Sequence, residues 1–348
     1  MKRFHHKNLF QKKGAAKMAL VRCASNPILS ARDIPFDASL IFNAGVCKFN
    51  GKYVMVFRND VGFSPTGWTK TYTNLGIAWS DDGIKWSVQT EPWKVAAEII
   101  ESDPEIVRFY DPRLTVVDGR CYLCFAVDTR HGVRGGIAVT DDFDNFEVLS
   151  MSAPDNRNMV LFPEKIDGMF LRLERPFPEY SRGYQEKFDI WSSKSPDCRF
   201  WGETRLVLGM EDVPYANAKI GPAAPPVKTD RGWLCIFHAT YKDKNRNLFG
   251  WETANNPKAT WNKEYFAGLM LLDLDDPQTV IGLAPEPLIR ATEKYELEGF
   301  RGSVIFPGGM ILEDDGEVKI YYGAADTVEC LATAHVDDLL AMIKPFRR

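Results

Sequence analysis

The apolar residues of this chain fall in short runs rather than long stripes, and polar turns punctuate them. Five segments open on a turn signal and continue into a strand-like run: NGKYVMVFRND from Asn50, DGRCYLCFAVD from Asp118, DGMFLRLERPF from Asp167, DRGWLCIFHAT from Asp230 and DGEVKIYYGAAD from Asp315. Asn-Gly and Asp-Gly supply the positive backbone angles that tight hairpins demand. Another apolar run precedes each turn: SLIFNAGVCKF, DPRLTVV, NMVLFPEKI, IGPAAPPVK and GSVIFPGGMIL. After most hairpins come a third strand and an aromatic-bearing fourth, as in LGIAWSDDGIKWSV, GGIAVTDDFDNFEV and FDIWSSKSPDCRFWGE. Antiparallel units of three or four strands, repeated five times at intervals of roughly 50 to 85 residues, predict an all-β, five-bladed β-propeller. The hairpin strands are apolar on both faces, as stacked blades require. A pair of β-sandwiches is the alternative.

Helix is expected only at the ends, most clearly in DDLLAMI from Asp337 to Ile343. The organisation expected is an N-terminal arm over 1–25, one propeller over 26–336 and a helical tail over 337–348. The arm mixes basic and apolar residues, which suits subunit contacts.

Composition narrows the partners. A 348-residue chain with 45% hydrophobic and 26% charged residues is ordinary for a folded protein, and its formal net charge of −4 argues against a nucleic-acid surface. No apolar run is long enough for a signal peptide or a membrane span, so a cytoplasmic protein is expected. Seven cysteines, an odd number among apolar neighbours, suit reduced buried thiols. Cys121 and Cys124 form a CxxC, but three residues apart on a strand they point to opposite faces, and no second pair completes a zinc site. No metal site is expected.

Hairpin geometry says where chemistry would gather. The residue opening the first strand and the residue closing the second lie at one end of a hairpin, and in a propeller these ends converge on one mouth of the channel. First strands open with Asn43, Asp111, Arg157, Lys219 and Arg301; second strands close with Arg58, Asp128, Arg175, His238 and Asp326. A few carboxylates alone would suggest a glycosidase. The surplus of cations suits an oxyanion such as phosphate, held by paired Arg hydrogen bonds and the point charge of Lys. No Walker loop or dinucleotide glycine fingerprint points to a nucleotide.

Read in order, the motifs SNPILSARDIP, IFNAG, VFRND, YDPRLT, NRNMVLFPEKI, LERP, KIGPAAPPVKT and YYGAADT resemble glycoside hydrolase family 130 over nearly the whole chain. That family comprises inverting β-mannoside phosphorylases and their relatives, on five-bladed propellers. The resemblance implies that Asp111 is the catalytic acid, acting through the 3-hydroxyl of the bound mannosyl unit. It implies phosphate ligands at Arg157, Arg175, Lys219, His238 and Tyr265, and mannosyl contacts at Asn43, Arg58 and Asp326. Asp128 is a further candidate from the strand-end argument. The implied reaction is phosphorolysis of terminal β-mannosidic linkages, β-1,4 foremost, in manno-oligosaccharides or mannosyl-glucose, releasing α-mannose 1-phosphate. An inverting hydrolase or a non-catalytic carbohydrate-binding propeller are the alternatives.

No cofactor is expected, inorganic phosphate being a co-substrate, and a homo-oligomer such as a hexamer is expected. An acid that must start protonated should sit where its pKa is raised; Arg113, two residues along, would oppose that if it shared the face of Asp111. The polar stretches 61–74 and 241–264, with Trp68, Trp251 and Trp261, read as loops that line an acceptor subsite or form surface and subunit contacts.

Overall fold

The computed structural model describes residues 20–178, 187–256 and 258–346. The basic stretch that opens the predicted arm lies outside them. Five antiparallel sheets follow one another along the chain, and the five-bladed propeller expected from the hairpin repeat is borne out. The first blade comprises Leu40–Phe49, Lys52–Ser64, Gly67–Ser80 and Ser87–Val88, and the second Ile106–Val117, Arg120–Thr129, Gly132–Thr140 and Glu147–Met151. The third holds Asn156–Leu161, Phe170–Pro176, Ile190–Ser195 and Gly202–Leu208. In the fourth, the apolar run from Ile220 is two short strands, Ile220–Pro222 and Val227–Thr229, because the prolines between them interrupt pairing; both pair with Gly232–Lys242. The same sheet continues through Lys263–Leu272 and Val280–Leu283, with Lys344–Pro345 on its outer edge.

The fifth blade unites both ends of the propeller. Ile305–Leu312, Glu317–Ala324 and Val328–His335 come late in the chain, and Val21–Arg22 pairs with Thr333 and Ala332 as the outer strand. Side chains reinforce this closure: Asn26 exchanges hydrogen bonds of 2.9 and 2.8 Å with the backbone of Leu331. Arg22 reaches the buried Glu296 through Nε at 2.7 Å and Nη2 at 3.0 Å.

Turn chemistry explains the hairpins. Asn50-Gly51, Asp118-Gly119 and Asp167-Gly168 each place two residues at positive φ, with 49° and 79° at the first pair. That is the backbone whose twist matches the flanking strands. A second repeated device closes the third strand of the first three blades. Ser80, Thr140 and Ser195 accept backbone N–H groups through their hydroxyls, while Asp82, Asp142 and Asp197 accept others two residues on.

Five apolar clusters fill the five inter-blade interfaces. Cys121 packs toward the first blade and Cys124 toward the third, so the CxxC is divided between two interfaces. Helix is not confined to the ends: Lys94–Ser102 links the first two blades and buries Val95, Ala96 and Ile99 in their shared core. Shorter helices form at Trp251–Asn255 and Lys294–Leu297, and the C-terminal helix is Val336–Met342. None of the described helices is long and apolar enough to cross a membrane.

Candidate active site

The inner strands of the first three blades break register at the same place. The breaks fall between Phe42 and Gly45, between Tyr110 and Arg113, and between Arg157 and Val160. Within them Asn43, Asp111 and Asn158 adopt φ of 55°, 53° and 58°. Asn and Asp tolerate this left-handed region better than other side-chain-bearing residues. A bulge re-aims side chains, and the consequence is a pocket of about 240 Å³ at the channel mouth, lined by all three.

Asp111 is held by hydrogen bonds and charge. Its Oδ1 accepts from Asn43 Nδ2 at 2.9 Å and from Arg58 Nη1 at 3.3 Å. Arg58 also grips Asp60 with both forks of its guanidinium, at 2.9 and 2.6 Å, and Thr73 donates to the same carboxylate at 2.7 Å. Burial pushes the Asp111 carboxyl up, but the charges of Arg58, Arg113 and Arg157 and the Asn43 hydrogen bond outweigh it and hold it below the ordinary value. The expectation of a raised pKa is therefore corrected. Asp326, in the same pocket, is raised: burial dominates over Arg301, 3.6 Å away, and over Arg58.

Arg113 does not share the face of Asp111, because the bulge suspends strand alternation between them. Its buried guanidinium donates to the carbonyls of Asn43 at 3.1 Å, Pro112 at 2.6 Å, Pro307 at 3.2 Å and Ala223. It ties four blades together at the axis and reaches Asp111 only through its charge.

The other half of the pocket is cationic. Arg175 is 1% exposed, and its Nη1 donates to His238 Nε2 at 2.9 Å. Burial and then the charge of Arg175 push the His238 pKa far down, so the ring is neutral and accepts that bond. Burial and then Arg157 push Arg175 down to about 9. Arg157 Nη1 donates to the Tyr110 hydroxyl at 3.1 Å. Yet Arg157 Nε and Arg175 Nε and Nη2 are buried with no hydrogen-bond partner among the described residues. Lys219 Nζ lies 5.5 Å from the centroid of the Tyr265 ring, and that ring stacks on Trp261 at 6.2 Å. Guanidinium donors left over in a buried, positively charged corner are the chemistry of an anion site.

An aromatic wall leads outward. Arg301 lies over both Trp261 and Phe300, 5.3 Å from each ring, and Phe300 meets Phe63 at 5.0 Å, which meets Trp68 at 5.3 Å. The stretch 61–74 is not a loop but the tip of the longest hairpin in the first blade, with Phe63 opposite Trp68. Trp251 opens a short helix whose Asn255 donates to the Pro65 carbonyl, so the two stretches read as loops touch.

Eight of the sequence candidates line the pocket: Asn43, Arg58, Asp111, Arg157, Arg175, Lys219, Tyr265 and Asp326, joined by Arg301 from the strand-end set. Two do not. His238 is fully buried behind Arg175, and Asp128 sits behind the lining, accepting from Tyr110 at 2.7 Å and from Arg108 Nε at 2.9 Å. The sequence reasoning missed Asp60, Arg108, Tyr110, Asn158, Phe300 and Phe306, which also line it. Asn158 had a findable signal, since it follows Arg157 where the other two bulges carry Asn43 and Asp111.

The family model described as beta-1,4-mannooligosaccharide phosphorylase matches residues 2–345. The chain belongs to glycoside hydrolase family 130. Among family relatives, a beta-1,4-mannooligosaccharide phosphorylase of Ruminococcus albus is 30% identical over 94% of this chain and 92% of that protein. A beta-1,2-mannobiose phosphorylase of Listeria innocua is 32% identical over 67% of this chain, a match spanning 59% of that protein. A solved structure of beta-1,2-mannobiose phosphorylase from Listeria innocua, in complex with beta-1,2-mannobiose, shares the fold with a TM-score of 0.76. It is 24% identical and covers 93% of this chain and 99% of that one. The chain is an enzyme of the family's β-mannoside phosphorylase type.

Proposed function

We propose that this enzyme catalyses reversible, inverting phosphorolysis of terminal β-1,4-mannosidic linkages in manno-oligosaccharides or mannosyl-glucose. The observation that carries this reading is the pair of buried guanidiniums, Arg157 and Arg175, with three nitrogens that have no hydrogen-bond partner among the described residues, in one pocket with Asp111. A hydrolase, whose nucleophile is neutral water, has no use for such a corner. Phosphate has: the two arginines and Lys219 hold its oxygens, and neutral His238 steadies Arg175 from behind.

A phosphate oxygen attacks the anomeric carbon from the face opposite the glycosidic bond. That bond breaks, and the leaving oxygen takes the proton of the mannosyl 3-hydroxyl, which in turn takes one from Asp111. The products are α-mannose 1-phosphate and a shortened acceptor. Asn43, Arg58 and Asp326 hold the mannosyl unit. In the synthetic direction Asp111 works as a base, the ionised state its arginine neighbours favour. For phosphorolysis, the anion beside Arg157 and Arg175 offsets part of that positive field and restores proton affinity to Asp111. No cofactor takes part, and the reaction belongs to the cytoplasm. The β-1,4 choice is supported by the family description and the Ruminococcus albus relative.

Incubation with β-1,4-mannobiose, β-1,2-mannobiose and mannosyl-glucose, each with and without phosphate, tests the reading. Phosphate-dependent release of α-mannose 1-phosphate, fastest from a β-1,4 substrate, is expected. Equal turnover without phosphate would overturn phosphorolysis, and preference for the β-1,2 substrate would overturn the linkage.

A further inference from the structure

Glu329 is a carboxyl group that this chemistry does not use. It lies on Val328–His335 in the last blade and is 0% exposed. Its Oε2 accepts the Ala44 N–H at 3.2 Å, and its Oε1 has no partner among the described residues. A buried carboxyl with one oxygen unsatisfied costs stability, so packing alone does not explain it. Ala44 follows Asn43, the left-handed residue whose side-chain amide donates to Asp111. Opposite Glu329 in the sheet is Gly323, where a Cβ would come within 2.7 Å of Asn43 Oδ1 and 2.8 Å of the Asn43 backbone nitrogen. The last blade thus shapes the Asn43–Ala44 bend twice, by making room for Asn43 and by anchoring the amide after it.

We propose that Glu329 is a positioning residue for the acid: by holding the Ala44 N–H it fixes the bulge that delivers the Asn43 amide to Asp111. The inference rests on the reading of Asp111 as the acid. Glu329 does not touch the pocket. The charged or titratable groups that face it are the Arg113 guanidinium, arriving from the second blade, and the Cys330 thiol beside it on its own strand. Burial pushes the Glu329 carboxyl up to about 8, against the Ala44 amide and Arg113. It is therefore neutral below that pH and ionises above it. Once ionised it binds the Ala44 amide more strongly and offsets Arg113, one of the charges that depress Asp111.

Glu329→Gln and Glu329→Leu, assayed for phosphorolysis across pH beside Asp111→Asn, test the role. The Leu variant has no acceptor for the Ala44 amide and is expected to lose about tenfold or more in kcat, with KM for phosphate and mannoside within about twofold. The Gln variant keeps a carbonyl oxygen and is expected to restore kcat to within about twofold at neutral pH. It should also lack the inflection near pH 8 expected of the parent enzyme. A folded Leu variant with undiminished kcat, or a Gln variant as impaired as Leu, would overturn the inference. If Leu does not fold, the Gln profile decides, and an inflection near pH 8 that persists there overturns it. Turnover surviving in Asp111→Asn would instead sink the reading of the acid.

Discussion

The anion corner can be tested through folding stability, without any turnover. Arg175 is buried beside Arg157, and its pKa falls to about 9. A drop of that size is worth about 5 kcal/mol, at roughly 1.4 kcal/mol per pH unit. The sign follows from linkage: a base whose folded pKa is depressed destabilises the fold while it stays charged. The penalty is therefore fully present below about pH 9 and is relieved as pH rises beyond it. Arg175→Met keeps much of the side-chain volume and removes the charge. It also forfeits the hydrogen bond to His238, worth about 1 kcal/mol, and leaves that ring nitrogen without a donor at about 1 kcal/mol more. The variant is thus expected to be about 3 kcal/mol more stable than the parent at neutral pH, measured by denaturant unfolding in phosphate-free buffer. Phosphate at a hundred times its Kd should stabilise the parent by about 2.7 kcal/mol and the variant hardly at all. A variant less stable than the parent would refute the reasoning. So would one that still gains stability from phosphate.

Asp111→Asn is expected to lower kcat by about a thousandfold or more, within the span that general acid catalysis contributes. Because the Asp111 pKa is depressed, the stability its charge confers is present at neutral pH and lost as pH falls through its folded value. The Asn variant should therefore trail the parent in stability at neutral pH and converge with it in acid. Arg113→Leu leaves four carbonyls at the axis without their donor and should destabilise by about 4 kcal/mol or more, seen as a fall in Tm. Trp68 is 49% exposed at the far end of the aromatic wall, and if that wall serves as an acceptor subsite its ring would meet only longer substrates. Trp68→Ala is expected to raise KM about tenfold for a mannotetraose and to leave KM for mannobiose and phosphate unchanged.

Local chemistry in the sequence carried the fold further than the site. Asn50-Gly51 and its counterparts dictate hairpins wherever they occur, and strand ends must then meet at one mouth. That reasoning placed Arg157 beside Arg175, residues that pair across one hairpin. It failed where position depends on other blades. His238 closes its strand at the right end, but Arg175 stands between it and the pocket. Arg113, two residues along, does help to hold Asp111 ionised, but Arg58, the larger influence, and Arg157 arrive from neighbouring blades that the local sequence does not reveal. Strand alternation was a poor guide at Asp111 and Arg113 because a bulge intervenes. The helix Lys94–Ser102 did have a visible signal, with Val95, Ala96 and Ile99 at helical spacing, but the strand rhythm on both sides obscured it.

The outer strand Val21–Arg22 gives the ring an order of assembly. A ribosome makes it before any blade, while its partners at Ala332 and Thr333 emerge some three hundred residues later, so the fifth sheet cannot close until synthesis has passed the fourth. Asp326 lies in a turn of that last blade, Glu329 on one of its strands, and Arg113 finds its Pro307 acceptor there. A nascent chain carrying Asp111, Arg157 and Arg175 would hold most of the polar pocket and no axis to organise it. Activity should then appear in a single step late in translation, when the earliest strand meets the latest.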